Sequence, residues 1–144
     1  MSDLTTAIRA EIEDLHAFFV DWFTGAADQM AITTRFGTAM APDVLFISPD
    51  GQRLTHSDLM TGIGAGYGAN TAIRIAIRNV EIQQDLGDCV LVTYEEWQIG
   101  GKAGRDQSGR LSTALITKAA PRKWLHIHET WLPYDVQAAG PYDF

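Results

Sequence analysis

Cysteine, cationic residues and long apolar runs are all scarce in this chain of 144 residues, and each shortage closes a class of function. Cys89 is the only cysteine, so neither an intrachain disulfide nor a cysteine-built metal cluster can form. Its place in the run Cys89-Val90-Leu91-Val92 suits a buried, inert thiol. Eleven lysines and arginines stand against eighteen aspartates and glutamates, for a formal charge of −7. Such a surface repels phosphate backbones on average, and with no basic patch along the chain no nucleic-acid partner is expected. No apolar run exceeds four residues, too short for a membrane-spanning helix. Asp3, Arg9, Glu11, Glu13 and Asp14 interrupt the N-terminus where a signal peptide would be apolar. The expected location is cytoplasmic, with no membrane partner.

A hydrophobic fraction of 46% and a charged fraction of 20% are ordinary for a globular domain, and the length fits one core. Leu4, Ile8, Ile12, Leu15, Phe19, Trp22 and Phe23 recur at three- and four-residue steps, which predicts a first helix of about five or six turns. Gly25 ends it. His16 lies about 70° from the centre of this apolar stripe, at the rim of the buried face. A shorter helix is expected from an Asp28 N-cap to Met40, with Met30, Ile32, Phe36 and Met40 as core contacts and Pro42 as the stop. Val44-Leu45-Phe46-Ile47 reads as a strand, Ser48-Pro49-Asp50-Gly51-Gln52 as a turn, and residues 53–55 as a short return. Thr55-His56-Ser57-Asp58 has the form of a capping box, so a third helix begins there.

Beyond residue 72 the period changes to that of strands, expected over 72–84, 89–99, 111–118 and 124–132. Their connections, 86–88, 100–109 and 119–123, are too short for helical crossovers, which makes the neighbours antiparallel. Helices first and a four-stranded meander last is an α+β pattern. Residues 1–133 form one domain, and 134–144 are a tail without periodicity.

The last strand, Trp124-Leu125-His126-Ile127-His128-Glu129-Thr130-Trp131, carries the densest set of functional side chains. Strict alternation places Trp124, His126, His128 and Thr130 on one face and Leu125, Ile127, Glu129 and Trp131 on the other. Together with the long first helix, Ala41-Pro42-Asp43-Val44-Leu45-Phe46-Ile47-Ser48-Pro49-Asp50-Gly51 and Trp124-x-x-x-His128-Glu129-x-Trp131 resemble the nuclear transport factor 2-like superfamily. The similar branch includes SnoaL-like polyketide cyclases, ketosteroid-isomerase-like proteins and the association domain of calcium/calmodulin-dependent kinase. This resemblance covers nearly the whole chain. It implies a cone in which a long N-terminal helix, two shorter helices and a curved, mostly antiparallel sheet enclose a pocket, with dimerisation through the outer sheet face. A pocket is implied, but no particular reaction. Thr130, where many relatives have a second histidine, and the stretch 24–38 depart from the family pattern, which weakens the transfer of any relative's catalytic set.

A hairpin register that sets His128 opposite Ala114, and Ala114 opposite Glu95, would leave His128 and Glu95 about 10 Å apart across a small residue. His128 is then the expected proton-transfer group and Glu95 its carboxylate partner. The competing reading makes His128 a satisfied core histidine and leaves Glu95 or Glu96 facing solvent. Trp22, Phe46, Tyr67 and Trp97 are the expected ligand walls, joined by Ser48, His126 and Thr130. His126-x-His128 has metal-ligand spacing, but two ligands do not make a site; neither a metal nor a cofactor is expected. Gly64-x-Gly66-x-x-Ala69 formally matches a dinucleotide loop, yet it follows a helix and precedes a strand, the reverse of what phosphate binding requires. Arg74 and Arg78 either pair with carboxylates such as Glu95 or Glu96, face water, or hold an anion. Leu125, Ile127 and Trp131 make the expected homodimer patch. The resulting expectation is a small-molecule-binding domain of the SnoaL-like type. It would be a cofactor-independent acid-base enzyme, an isomerase, cyclase or dehydratase acting on an apolar oxygenated substrate. The alternative is a non-catalytic dimeric module for ligand binding or protein association.

Overall fold

The computed structural model describes residues 3–101, 106–139 and 144. Helix α1 (Asp3–Thr24) is followed by a π-helical turn (Ile32–Gly37), strands β1 (Met40–Ile47) and β2 (Arg53–Leu54), and helix α2 (His56–Ala65). Strands β3 (Arg74–Asp85), β4 (Cys89–Ile99), β5 (Gln107–Thr117) and β6 (Trp124–Trp131) form the meander, and a short helix α3 (Tyr134–Ala139) comes last. All six strands belong to one sheet in the order β2-β1-β6-β5-β4-β3. Among the described residues only the β1–β6 pair is parallel. The fold is α+β, as the sequence pattern predicts, and no helix among the described residues is long and apolar enough to cross a membrane.

The amphipathic stripe of α1 supplies Ile8, Ile12, Leu15, Phe18 and Trp22 to the core, where they meet Val90, Val92 and Tyr94 of β4, Ala114 and Ile116 of β5, and Trp124 and Ile127 of β6. Gly25, at φ 84°, turns the chain out of the helix in the left-handed region that glycine favours. Thr55 and Asp58 form the expected reciprocal capping box at the start of α2.

Four elements differ from the sequence reading. In place of a helix reaching Met40 there is one π-helical turn, closed by Thr38 N–H to the Thr33 carbonyl at 3.0 Å. Met30 is 69% exposed, whereas Phe36 and Met40 are buried as expected. Pro42 lies within β1 rather than before it, in the interval where the ladder to β6 breaks between Met40↔Trp124 and Leu45↔His126. Having no N–H to donate, proline fits a strand where no ladder bond is required. Strand β5 begins four residues earlier than periodicity indicated, at Gln107, because Ser108 and Gly109 are small and leave no hydrophobic signal. The expected connection over 100–109 falls partly outside the described residues, as do residues 140–143 of the tail. The rest of that tail is not featureless. In α3, Gln137 accepts the Gly109 N–H at 3.1 Å and donates to the Leu132 carbonyl, tying the helix to the sheet.

The register of β6 matters most for function. Leu115 pairs with His126 and Ile116 with Trp124, so Leu125 is an extra residue bulged out of the ladder. A bulge resets the alternation. Trp124, Ile127 and Glu129 are all buried, while His128 and Thr130 are exposed. Alternation counted from Trp124 without that extra residue assigns every later side chain to the wrong face.

Candidate functional site

A cavity of about 310 Å³ lies between α1, α2, the π-helical turn and the inner face of the sheet. Its walls are mainly apolar, with Phe19, Phe23, Phe36, Phe46, Leu59 and Trp124 prominent. Exposed Asp58 and Gly62 mark its solvent side, and its inner end carries His16, Tyr94, Glu96, Gln98, Arg110 and Glu129. These polar groups come from α1 and from alternate positions of β4, β5 and β6. In β4, Val90, Val92, Tyr94, Glu96 and Gln98 are all buried on the inner face, and in β5 Ser112, Ala114 and Ile116 follow the same rule.

His16 is 4% exposed and Glu96 is 5% exposed, so neither relies on bulk water for its charge. Nδ1 of His16 lies 2.7 Å from the Ile12 carbonyl, which can only accept, so this nitrogen carries a proton. Nε2 lies 3.1 Å from Glu96 Oε1. Burial alone would lower the His16 pKa, but the charge and hydrogen bond of Glu96 outweigh it and the pKa is raised. Burial alone would raise Glu96; His16, Arg110 and the Gln98 amide that donates to Oε2 together lower it to about 2. Both directions favour the imidazolium–carboxylate form of the pair.

The second carboxylate behaves in the opposite sense. Glu129, 4% exposed, accepts Arg110 Nη1–H at 3.1 Å and the Ser112 hydroxyl at 2.8 Å. Burial, reinforced by the nearby Glu96 charge, nevertheless raises its pKa. Tyr94 is pushed well above its ordinary value by burial and by the Glu129 and Glu96 charges, so it stays a neutral phenol, hydrogen-bonded to Ser112. Arg110 is raised: burial opposes its charge, but Glu96 and Glu129 favour it more strongly. Its guanidinium stands 4.8 Å from the centre of the Trp131 ring, and Trp131 in turn donates to Asp50 in the β1–β2 turn at 3.0 Å. The inner end thus holds one locked ion pair, His16–Glu96, and one pair, Arg110–Glu129, whose carboxylate lies nearer to neutralisation. Among the described residues, no group of three or more His, Cys, Asp or Glu is gathered as a metal site.

Of the residues singled out from the sequence, Phe46 lines this cavity. His128 and Thr130 are exposed on the opposite face, and half-buried His126 shares that face. Ala114 pairs with Val92 and Ile127 rather than joining Glu95 to His128; those two pair with Leu111 and Thr113 respectively. Glu95 accepts from Asn79 and from the Trp97 indole, both at 2.9 Å. Trp97 is buried on the outer face over Gly109, where an added Cβ would come within 2.9 Å of the ring. Trp22 donates to the Ile63 carbonyl at 2.7 Å and packs against Tyr67. The Tyr67 hydroxyl is held by the Gly25 and Ala27 carbonyls. Ser48 accepts the Gln52 N–H within its turn. Ile127 points into the core and Leu125 packs against it, so the apolar patch expected from Leu125, Ile127 and Trp131 does not form on the outer face.

The residues that sequence reasoning missed are Glu96, Gln98, Arg110 and Glu129, while His16 is fully inside rather than at the rim. The signal for Glu96 was present: Val90, Val92 and Tyr94 fix the inner parity of β4, and Glu96 continues it while Glu95 does not. Ala114 and Ile116 point likewise to Ser112 and Arg110.

The comparisons agree with this architecture. An NTF2-like protein of unknown function from Pseudomonas aeruginosa superposes with a TM-score of 0.80 at 25% identity, over 88% of this chain and 99% of that one. A member of the NTF2-like family from Streptomyces avermitilis, provisionally assigned as a dehydratase, superposes at 0.59 with 14% identity over 83% and 95% of the two chains, a likeness of fold alone. Sucrose-phosphatase 2 of Nicotiana tabacum is 25% identical over 130 residues, 85% of this chain, which spans about 30% of that relative's length. The family model of the SnoaL-like domain matches residues 12–131, and with the long helix, the six-stranded, mostly antiparallel sheet and the cavity already described, the chain belongs to the SnoaL-like family and has the NTF2-like fold.

Proposed function

We propose that this domain binds a small apolar, oxygenated molecule in the cavity and performs cofactor-independent acid-base chemistry on it, of the isomerase, cyclase or dehydratase kind. The observation that carries this reading is the pairing of two buried carboxylates with opposite tendencies at one end of an apolar cavity: Glu96 held ionised by His16, Glu129 pushed toward neutrality. A carboxyl group whose pKa moves toward neutral pH is suited to take and return a proton. Glu129 is the proton-transfer residue in this reading, Arg110 stabilises negative charge developing on a substrate oxygen, and Glu96 with His16 sets the electrostatic background. The phenylalanine-rich walls favour an apolar body over a phosphorylated sugar, so the activity in the name of the tobacco relative is not carried over.

The test begins with a thermal-shift screen of small apolar ketones, alcohols and esters, since a ligand that binds only the native state raises its melting temperature. With a turned-over hit in hand, Glu129→Gln should fold normally and lose about 10²–10⁴-fold in kcat. Unchanged turnover in that folded variant rejects Glu129 as the proton carrier. A second reading, a non-catalytic ligand-binding or association module, is favoured by one observation: each carboxylate at the inner end already has protein partners, as a purely structural network would. Its assembly would be a homodimer through the outer sheet face, where Leu111 is 39% exposed. A monomeric mass at micromolar concentration rejects that assembly.

A further inference from the structure

Charges at the inner end of the cavity define a ligand class. The groups facing Glu129 are His16 from α1, Tyr94 and Glu96 from β4, and Arg110 with the Ser112 hydroxyl from β5; Asp58 of α2 lines the exposed part of the same cavity. Both ring nitrogens of His16 are engaged, and its charge is matched by Glu96. Arg110 is then the one cation lining the cavity, among the described residues, whose carboxylate partner has a raised tendency to be protonated.

With Glu129 ionised, the four charges cancel, and an incoming anion would face two carboxylates against two cations that are already paired. With Glu129 neutral, the inner end carries one net positive charge in an apolar surrounding. An ammonium ligand is disfavoured there by Arg110. A carboxylate can replace Glu129 on the guanidinium, whose planar fork suits two-pronged recognition. Protonated Glu129 keeps its Ser112 hydrogen bond on one oxygen and can donate from the other to the ligand.

We propose that the cavity takes a small aromatic carboxylate as its anion, seated on Arg110 against the phenylalanine walls, and that Glu129 takes up one proton from solvent as the ligand enters. The balance is one ligand anion and one proton bound for each site, with no bond made or broken in the ligand. This inference rests on the reading of the cavity as a small-molecule site.

Calorimetric titration of the full chain with 2-naphthoate and with neutral 2-naphthamide, from pH 5.5 to 8 in pairs of buffers of different ionisation enthalpy, tests it. The acid is ionised throughout that range, as carboxylates titrate at about 4. Naphthoate should bind with uptake approaching one proton between the Glu129 pKa of the free protein and that of the liganded protein, and across that window its affinity should fall toward a limit of about tenfold per pH unit. Glu129→Gln, which keeps the shape but not the charge, should bind naphthoate at least as tightly and without the pH dependence. Naphthamide binding as well as naphthoate, or naphthoate binding with no proton uptake, overturns the anion inference while leaving the cavity a binding site. Failure of both probes to bind at millimolar concentration overturns the aromatic-carboxylate inference, whereas the reading of the cavity as a small-molecule site falls only if the thermal-shift screen also finds no ligand.

Discussion

The two faces of strands β4, β5 and β6 are made from interleaved residues of the same segments, yet they differ in kind. Facing inward are Glu96, Arg110, Ser112 and Glu129, each with a partner and nearly all shielded from water. Facing outward are Glu95, Thr113, His128 and Thr130, half-buried or exposed. Chemically the two sets are similar, since each has a carboxylate and a hydroxyl. Burial separates them: it makes inner charges dependent on one another and lets them shift in pKa, whereas outer charges are screened by solvent.

The sharpest way to break this comparison is to remove one matched residue from each face. Glu96→Ala leaves the His16 imidazolium buried without its counter-charge and should destabilise the fold by about 3–5 kcal/mol in urea unfolding. His128→Ala, on the exposed side, should stay within about 0.5 kcal/mol of the parent. Comparable effects for the two would show that the faces are energetically alike.

The pH dependence of stability sharpens the contrast further. Glu96 is lowered in the folded state from 4.5 to about 2, so its contribution is fully present above pH 4.5 and is lost as pH falls toward 2. His16 is raised from 6.5, so its contribution is present below pH 6.5 and is lost as pH rises through the folded value. Glu129, raised from 4.5, works against stability as pH climbs from 4.5 through its folded pKa. Unfolding midpoints from pH 2 to 9 should therefore fall away on both sides of the weakly acidic range, and Glu129→Gln should remove part of the decline above pH 4.5.

Smaller effects come from the contacts that frame the site. Thr55→Ala removes the capping box of α2, which supplies Leu59 and Ile63 to the cavity wall, and should cost about 1 kcal/mol. Trp131→Phe keeps a ring beside Arg110 but loses the exposed bond to Asp50; a loss of about 0.5–1 kcal/mol in thermal unfolding is expected.

Elements with strong periodicity were legible from sequence: α1, the capped start of α2, and all four meander strands. Strand β4 is the clearest case, found at its observed bounds because an apolar segment in which Val90, Val92 and Tyr94 alternate is bounded by Asp88 and Gly100. The site was less legible because it depends on parity, and parity is a property of the ladder rather than of composition. Glu96 could be reached from Val90 and Val92. Glu129 could not, because the bulge at Leu125 has no marker in the sequence: it is neither glycine nor proline, and it looks like one more apolar residue of the strand. His16 was misjudged for another reason. The apolar stripe of α1 continues around the helix as cavity rather than solvent, which a helical projection cannot distinguish.

That extra residue also bears on how this strand tolerates changes in length. Deleting Leu125 would join Trp124 directly to His126, whose partners Ile116 and Leu115 are already adjacent in β5, so the ladder closes and Glu129 stays inside. Deleting Ile127 instead, only two positions on, would carry Glu129 to the outside and bring His128 or Thr130 toward Arg110. Aligned column by column, a relative one residue shorter at position 125 would therefore preserve the same inner end, while an ungapped match through His128-Glu129 would superpose residues from opposite sides of the sheet.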